Sequence, residues 1–213
     1  MGNTTIFTDG TVYASNKLGL VNMCLMSIGE APLPEGILLD PIRGSEGTII
    51  TPADIQHGTD AYVAKIKVEE TAIRVLSEGW WFNTDMNYKL YPDNQNFIAL
   101  PPNVLHIDAT GNYIFKGSKV YDISNHTYNI SSSVTCDIIW LTDFEDLPSK
   151  AYTYIGLKAA RVFQANVIGS EALFQYTKLD ETEAYEALMR EQLKVRDWNI
   201  SDSNISTRTA NPS

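Results

Sequence analysis

PSKAYTYIGLKAARVFQANVIGSEALFQYTKLDETEAYEALMREQLKVRDW, residues 148–198, decides the fold. Pro148 and Ser149 suit a helix start, since proline is pre-shaped for the first turn and a small hydroxyl caps free N–H groups. Tyr154, Leu157, Arg161, Phe163 and Ile168 then recur at mostly helical spacing. Gly169 suits the left-handed conformation that ends a helix, and Ser170 caps the next one at once. The second helix sets Leu173, Tyr176, Ala184, Ala187 and Leu188 mostly along one side and charges elsewhere. Two helices on one hinge, each with an apolar stripe to bury, need a partner. The stretch carries no reactive constellation, which favours a structural or assembly role.

Toward the N-terminus, residues 1–10 read as loose. Leu18, Val21, Leu25 and Ile28 make a helical stripe within about Val12 to Ile28, stopped by Gly29 and by Pro32 and Pro34. Residues 30–50 read as a long Gly- and Pro-rich loop. Thr51-Pro52-Ala53-Asp54 is a helix start, and that helix runs to Glu78 with Ile55, Tyr62, Ile66, Ile73 and Leu76 as its inner face. After Gly79 the period shifts toward alternation. Trp80-Trp81-Phe82 through Tyr91, then 97–100, 104–107, 113–115, 120–123 and 134–141, read as strands of an antiparallel meander between tight turns. The expected fold is α+β. Residues 1–79 and 148–198 form a helical bundle, and 80–147 form an inserted antiparallel β domain. Residues 199–213 form a flexible C-terminal tail with Ile200 and Ile205 as its larger apolar residues.

The 213 residues carry a formal charge of −10 and 44% apolar side chains. That apolar share supports a sizeable core. The charge opposes a phosphate-gripping nucleic-acid binder, but not a wall that DNA slides past. Cys24 and Cys136 are far apart in sequence and outside any CxxC, the pattern of two reduced, buried thiols, although spacing alone leaves a disulfide open. The N-terminus lacks the basic and apolar design of a signal peptide, and no run approaches the roughly 18 apolar residues of a membrane span. The expectation is a protein made in a reducing cytoplasm, with no membrane and no cofactor.

No Gly-rich phosphate loop and no nucleophile elbow occur. None of the three histidines has a neighbour at metal-ligand spacing. His106 and Asp108 would share one face of a strand as a surface pair. Asp143, Glu145 and Asp146 are the densest acidic cluster, and paired carboxylates can cleave glycosides. Their place just before a helix start fits a solvated loop that favours the helix dipole. The enzymatic alternative is a carbohydrate-binding or glycoside-cleaving module using Trp81 and this cluster. Asp180, Glu181, Glu183, Glu186 and Glu191 share the last helix with Lys178, Arg190 and Lys194, as a solvated face with pairs such as Glu186 and Arg190.

Several motifs carry a resemblance. Val21-Asn22, then Ser27-Ile28-Gly29-Glu30 and Pro32, resembles the first-helix motif of the tail tubular protein A family, the head-to-tail adaptors of short-tailed phages. Ser77, Gly79, Trp80, Phe82 and Asn83 resemble the family's S-x-GW-x-FN, and Leu90 to Asp93 its L-x-PD. Lys158, Ala159, Arg161 and Phe163 resemble its K-A-x-R-x-F. The matches keep their order over most of residues 18–175. The resemblance implies a non-enzymatic virion tail protein, assembled in the host cytoplasm as a dodecameric ring. That ring sits between the portal protein and the tail nozzle (tail tubular protein B), with the tail fibre as a further neighbour. Genomic DNA passes through it without sequence-specific binding. Glu183, Glu186, Asp143 and Glu145 are then candidates for the lumen wall. Ile200, Ile205 and Arg208 are candidates for portal contact.

Overall fold

The computed structural model describes residues 4–6, 12–14, 16–35, 37, 39–40, 42–43, 49–50 and 59–208. In chain order the elements are β1 (Thr4–Ile6), β2 (Val12–Ala14), α1 (Lys17–Ser27), β3 (Ile42–Arg43), β4 (Ile49–Ile50), α2 (Asp60–Leu76) and β5 (Thr84–Leu90). Then follow β6 (Val104–Ala109), β7 (Tyr113–Lys116), β8 (Lys119–Asp122), β9 (Val134–Trp140), α3 (Ser149–Val167) and α4 (Glu171–Arg208). Two compact units result: residues 1–72 with 143–213, and residues 73–142. The class is α+β, as expected, with helices from both ends of the chain packed together and the β region inserted between them in sequence.

In the first unit α3 packs against both α1 and α4. Leu20, Val21, Cys24 and Leu25 of α1 are buried, as are Ala151, Tyr154, Ile155, Gly156, Ala159, Ala160, Phe163 and Gln164 of α3. The two helices meet through glycine. A Cβ on Gly156 would lie 2.6 Å from Met23 Sδ and 2.9 Å from Leu20 Cδ2. A Cβ on Gly19 would collide with the Tyr152 hydroxyl, which donates to Asn16 O at 3.1 Å. Polar bonds close the far end: Gln164 Nε2 donates to Ser27 O at 2.6 Å, and Ser27 Oγ to Cys24 O at 2.6 Å. Burial pushes the Cys24 thiol up to about 12, so it stays protonated.

Asn16 caps α1, its side chain accepting from Gly19 N at 2.8 Å. This cap corrects the expected helix start at Val12. Val12, Tyr13 and Ala14 pair with Ile6, Thr5 and Thr4, as β-branched and aromatic residues around Asp9-Gly10 favour. Strands are therefore not confined to residues 80–142, because β1–β2 and β3–β4 lie outside that range. The expected helix start at 51–54 and residues 55–58 fall outside the described residues. The inner face of α2 is corrected in part. Leu76 is buried as expected and Ile73 is exposed, while Ala61, Ala64, Val68, Ala72 and Val75 are also buried. Alanines leave a weaker hydropathy signal than the larger residues that dominate such a pattern. Lys17 ties three segments together. Its Nζ reaches Asp40 at 2.7 Å and Glu69 at 2.9 Å, and stands 5.7 Å from the Phe144 ring centroid. Lys65 also holds Asp40, at 2.7 Å.

In the second unit the sheet order is β5-β9-β6, all antiparallel, with β7–β8 as a separate hairpin. The expected meander is corrected: β9 returns between two earlier strands. Val134, Cys136 and Ile138 are buried on alternate positions of β9, so the most apolar strand takes the centre. Residues 80–83 form a turn rather than a strand, and 97–100 contribute a single bridge, Ala99 to Lys119. Trp80 is buried and donates from Nε1 to Val75 O at 2.8 Å. Asn83 joins the turn to the sheet, donating to Leu76 O at 3.0 Å and to Trp140 O at 2.8 Å.

α4 continues to Arg208, ten residues beyond the boundary at 198 that the sequence suggested. Residues 209–213 of the expected tail lie outside the described residues.

Gly156→Ala should destabilise the chain by roughly 1–3 kcal/mol, because overpacking a buried contact forces side chains off their rotamers. Met23→Ala in the same chain should recover part of the loss, measured by denaturant unfolding. A second outcome concerns acid. Phe97 N and Gln95 N hold the Asp93 carboxyl below its usual value of 3.8, and the Asn125 side chain and N–H do the same for Asp122. A depressed folded pKa contributes stability above the unfolded value that is lost as pH falls through the folded one. Thermal melts from pH 6 to pH 2 should therefore fall more steeply for the natural chain than for Asp122→Asn.

Candidate assembly surface

α4 is 38 residues long, roughly 57 Å at 1.5 Å per residue. Its hold on α3 combines one deep apolar anchor with polar contacts. Leu188 is fully buried. The Arg161 Nε–H donates to Glu181, both side chains being largely buried, and Lys150 pairs with Glu191 at 3.1 Å. Tyr185 packs on Tyr154 with centroids 5.3 Å apart, and Lys158 Nζ donates to Tyr154 Oη at 2.8 Å. Residues 181, 184, 188, 191 and 195 thus form the inward stripe, with spacing that alternates three and four.

The opposite stripe is exposed. It holds Leu179, Glu183, Glu186, Arg190 and Leu193, again at alternating spacings of four and three. Leu179 is 60% and Leu193 53% exposed, about 21 Å apart along one helix face at 1.5 Å per residue. Between them Glu186 lies 3.6 Å from Arg190, and Glu183 has no ion pair among the described residues. Glu183 and Glu186 are therefore surface acids bracketed by apolar residues. Ile200, Ile205 and Arg208 fall on the same helix, further toward its C-terminal end.

Asp143, Glu145 and Asp146 are all exposed, around a single 3-10 turn, Phe144–Asp146. Buried Leu147 and the Phe144 ring beside Lys17 anchor that turn. Trp81 belongs to the other unit and is half-buried edge-on against Phe82, centroids 5.1 Å apart. His106 and Asp108 are exposed on one face of β6, as the alternation predicts. Among the described residues no group of three His, Cys, Asp or Glu is placed to hold a metal, and no described helix is long and apolar enough to cross a membrane.

The motif residues have physical roles that spacing alone did not reveal. Asn22 pins the following loop, accepting from Leu33 N at 2.8 Å and donating to Leu33 O at 3.1 Å. Asn83 joins turn and sheet, Arg161 joins α3 to α4, and Phe163 is fully buried. Lys17 was missed because its partners lie 23 and 52 residues away. The opposed lysines of β7–β8 were missed because only the hairpin register sets Lys116 against Lys119.

The sequence as a whole is similar to known proteins. The sequence profile of the tail tubular protein family matches residues 47–198. Tail tubular protein A of Klebsiella phage KP34 is 27% identical over 197 residues, covering 90% of this chain and 95% of that protein. With most of its length matched by the profile, from before α2 into α4, the chain belongs to the tail tubular protein family, structural proteins of the phage tail.

Proposed function

We propose that this tail protein is a head-to-tail adaptor subunit that assembles as a ring between portal protein and tail nozzle, with the genome passing through the centre. The observation that carries the proposal is the exposed stripe of α4. A helix of this length, with two leucines uncovered in register, is suited to burial against a neighbour. Family membership and the relative named tail tubular protein A support a place in the tail. A dodecamer is the expected ring. The C-terminal end of α4, with Ile200, Ile205 and Arg208, is the proposed portal-contacting segment.

Asp143 and Glu145 are the proposed lumen acids, both exposed on the Phe144–Asp146 turn. Glu183 and Glu186 share their face with Leu179 and Leu193 and suit a protein neighbour better than a water-filled channel. DNA carries about one negative charge per 1.7 Å of axis, so an acidic wall keeps it from sticking. Screening limits that repulsion to about 8 Å at physiological salt, close to the wall.

The test is imaging of the chain mixed with the portal protein of the same phage. A ring of repeated copies on one face of the portal is expected; a chain that stays monomeric and unbound contradicts the proposal. In assembled particles, Asp143→Lys with Glu145→Lys should slow genome ejection several-fold at low salt and less at high salt. An unchanged ejection rate would remove these two acids from the lumen.

A further inference from the structure

The β7–β8 hairpin carries an arrangement that works against its own stability. Lys116 and Lys119 are direct cross-strand partners. Like charges directly opposite one another destabilise a hairpin. Neither lysine makes an ion pair among the described residues, although both are exposed. Asp93 lies close enough to feel Lys119, but its carboxylate is already engaged by Gln95 N and Phe97 N. Instead both ammonium groups sit over aromatic rings: Lys116 Nζ is 5.1 Å from the Tyr121 centroid, and Lys119 Nζ 4.1 Å from that of Phe97. Tyr121 is braced by Tyr128, centroids 4.9 Å apart. Each ring holds one of the two cations at the surface, and the register sets their Cα atoms opposite one another. Ile114 and Ile123, beside them in sequence, are 43% and 44% exposed.

Two lysines paired across the hairpin, with exposed isoleucines on the same unit, fit a partner with two anions on neighbouring positions and apolar residues beside them. Cross-strand Cβ atoms lie about 4.5–5.5 Å apart. Helix residues three apart have Cβ atoms about 5–6 Å apart. Glu183 and Glu186 are three apart on the outward stripe of α4, bracketed by exposed Leu179 and Leu193. The Cβ spacing, the charge of the two acids and the apolar flanks match, with Arg190, 3.6 Å from Glu186, beside them on the stripe.

We infer that the Lys116/Lys119 tip of β7–β8 docks on the Glu183/Glu186 stripe of α4 in a second copy of this chain. Two different patches on one chain, each fitting the other, make a head-to-tail contact. Such contacts close into rings when the rotation permits. The inference rests on the ring assembly proposed above and names its contact.

The test is a charge swap, read as the fraction of chain in portal-bound rings by negative-stain imaging, with far-UV melts to confirm folding. Lys116→Glu with Lys119→Glu should lower that fraction about tenfold, and Glu183→Lys with Glu186→Lys should do the same. The chain carrying all four changes should recover most of it. Rings that form equally well with either pair reversed would overturn this contact while leaving the ring itself standing. Failure of the natural chain to form rings would overturn the assembly reading and the contact with it. If the lysine reversal leaves rings intact but removes retention of duplex DNA, the hairpin is a nucleic-acid contact and the inference is wrong.

Discussion

The close approach of α1 and α3 at Gly19 and Gly156 is the constraint on which the first unit depends. With hydrogen in place of a side chain at both positions, Leu20 and Met23 press directly onto the α3 backbone. Phe163 and Ile155 are then fully buried, and Gln164 reaches the end of α1 to satisfy Ser27 O. Packing of this density transmits small volume changes directly, because interiors of proteins leave few voids to absorb them. α1 and α3 lie 122 residues apart from the end of one to the start of the other, so the contact brings distant parts of the chain together.

α3 spends one flank on α1 and lends the other to α4. That second seam has a different character. Leu188 is its deep anchor, and Arg161–Glu181 and Lys150–Glu191 fix the register around it. Ion pairs that are partly buried contribute modestly to net stability but penalise a shifted pairing, in which charges would be left without partners. The seam therefore favours one rotation of α4 about its axis. That rotation is what turns Leu179, Glu183, Glu186 and Leu193 outward together. The outward surface of α4 is thus set by the face that is hidden.

The class of fold and the helix boundaries around Gly79, Pro148 and Gly169 were legible in the sequence because their causes are local, whereas the start of α1 and the end of α4 were not. Pro148 opens α3, and Gly169, at φ 66°, separates α3 from α4. Gly79, at φ 76°, marks the change from helix to sheet. Features with distant causes were hidden. The central place of β9 depends on pairing with strands about 30 and 50 residues earlier, and alternation within Val134–Trp140 says only that one face is buried. The inner face of α2 was read only in part, at Leu76, because buried Ala61, Ala64 and Ala72 leave a weak hydropathy signal. On α4 the acids Glu183 and Glu186 were readable as surface charge. Their alignment with two exposed leucines required knowing that Leu188 points inward.

The central claim is that the outward stripe of α4 is a surface made to be covered. Side-chain oxidation footprinting of Leu179 and Leu193, in the free chain and in the assembled phage tail, tests it most directly. The account predicts that both leucines are readily labelled in the free chain and become protected on assembly, while exposed Met86 in β5 serves as an independent reference position. Equal labelling of the two leucines in both states would contradict it.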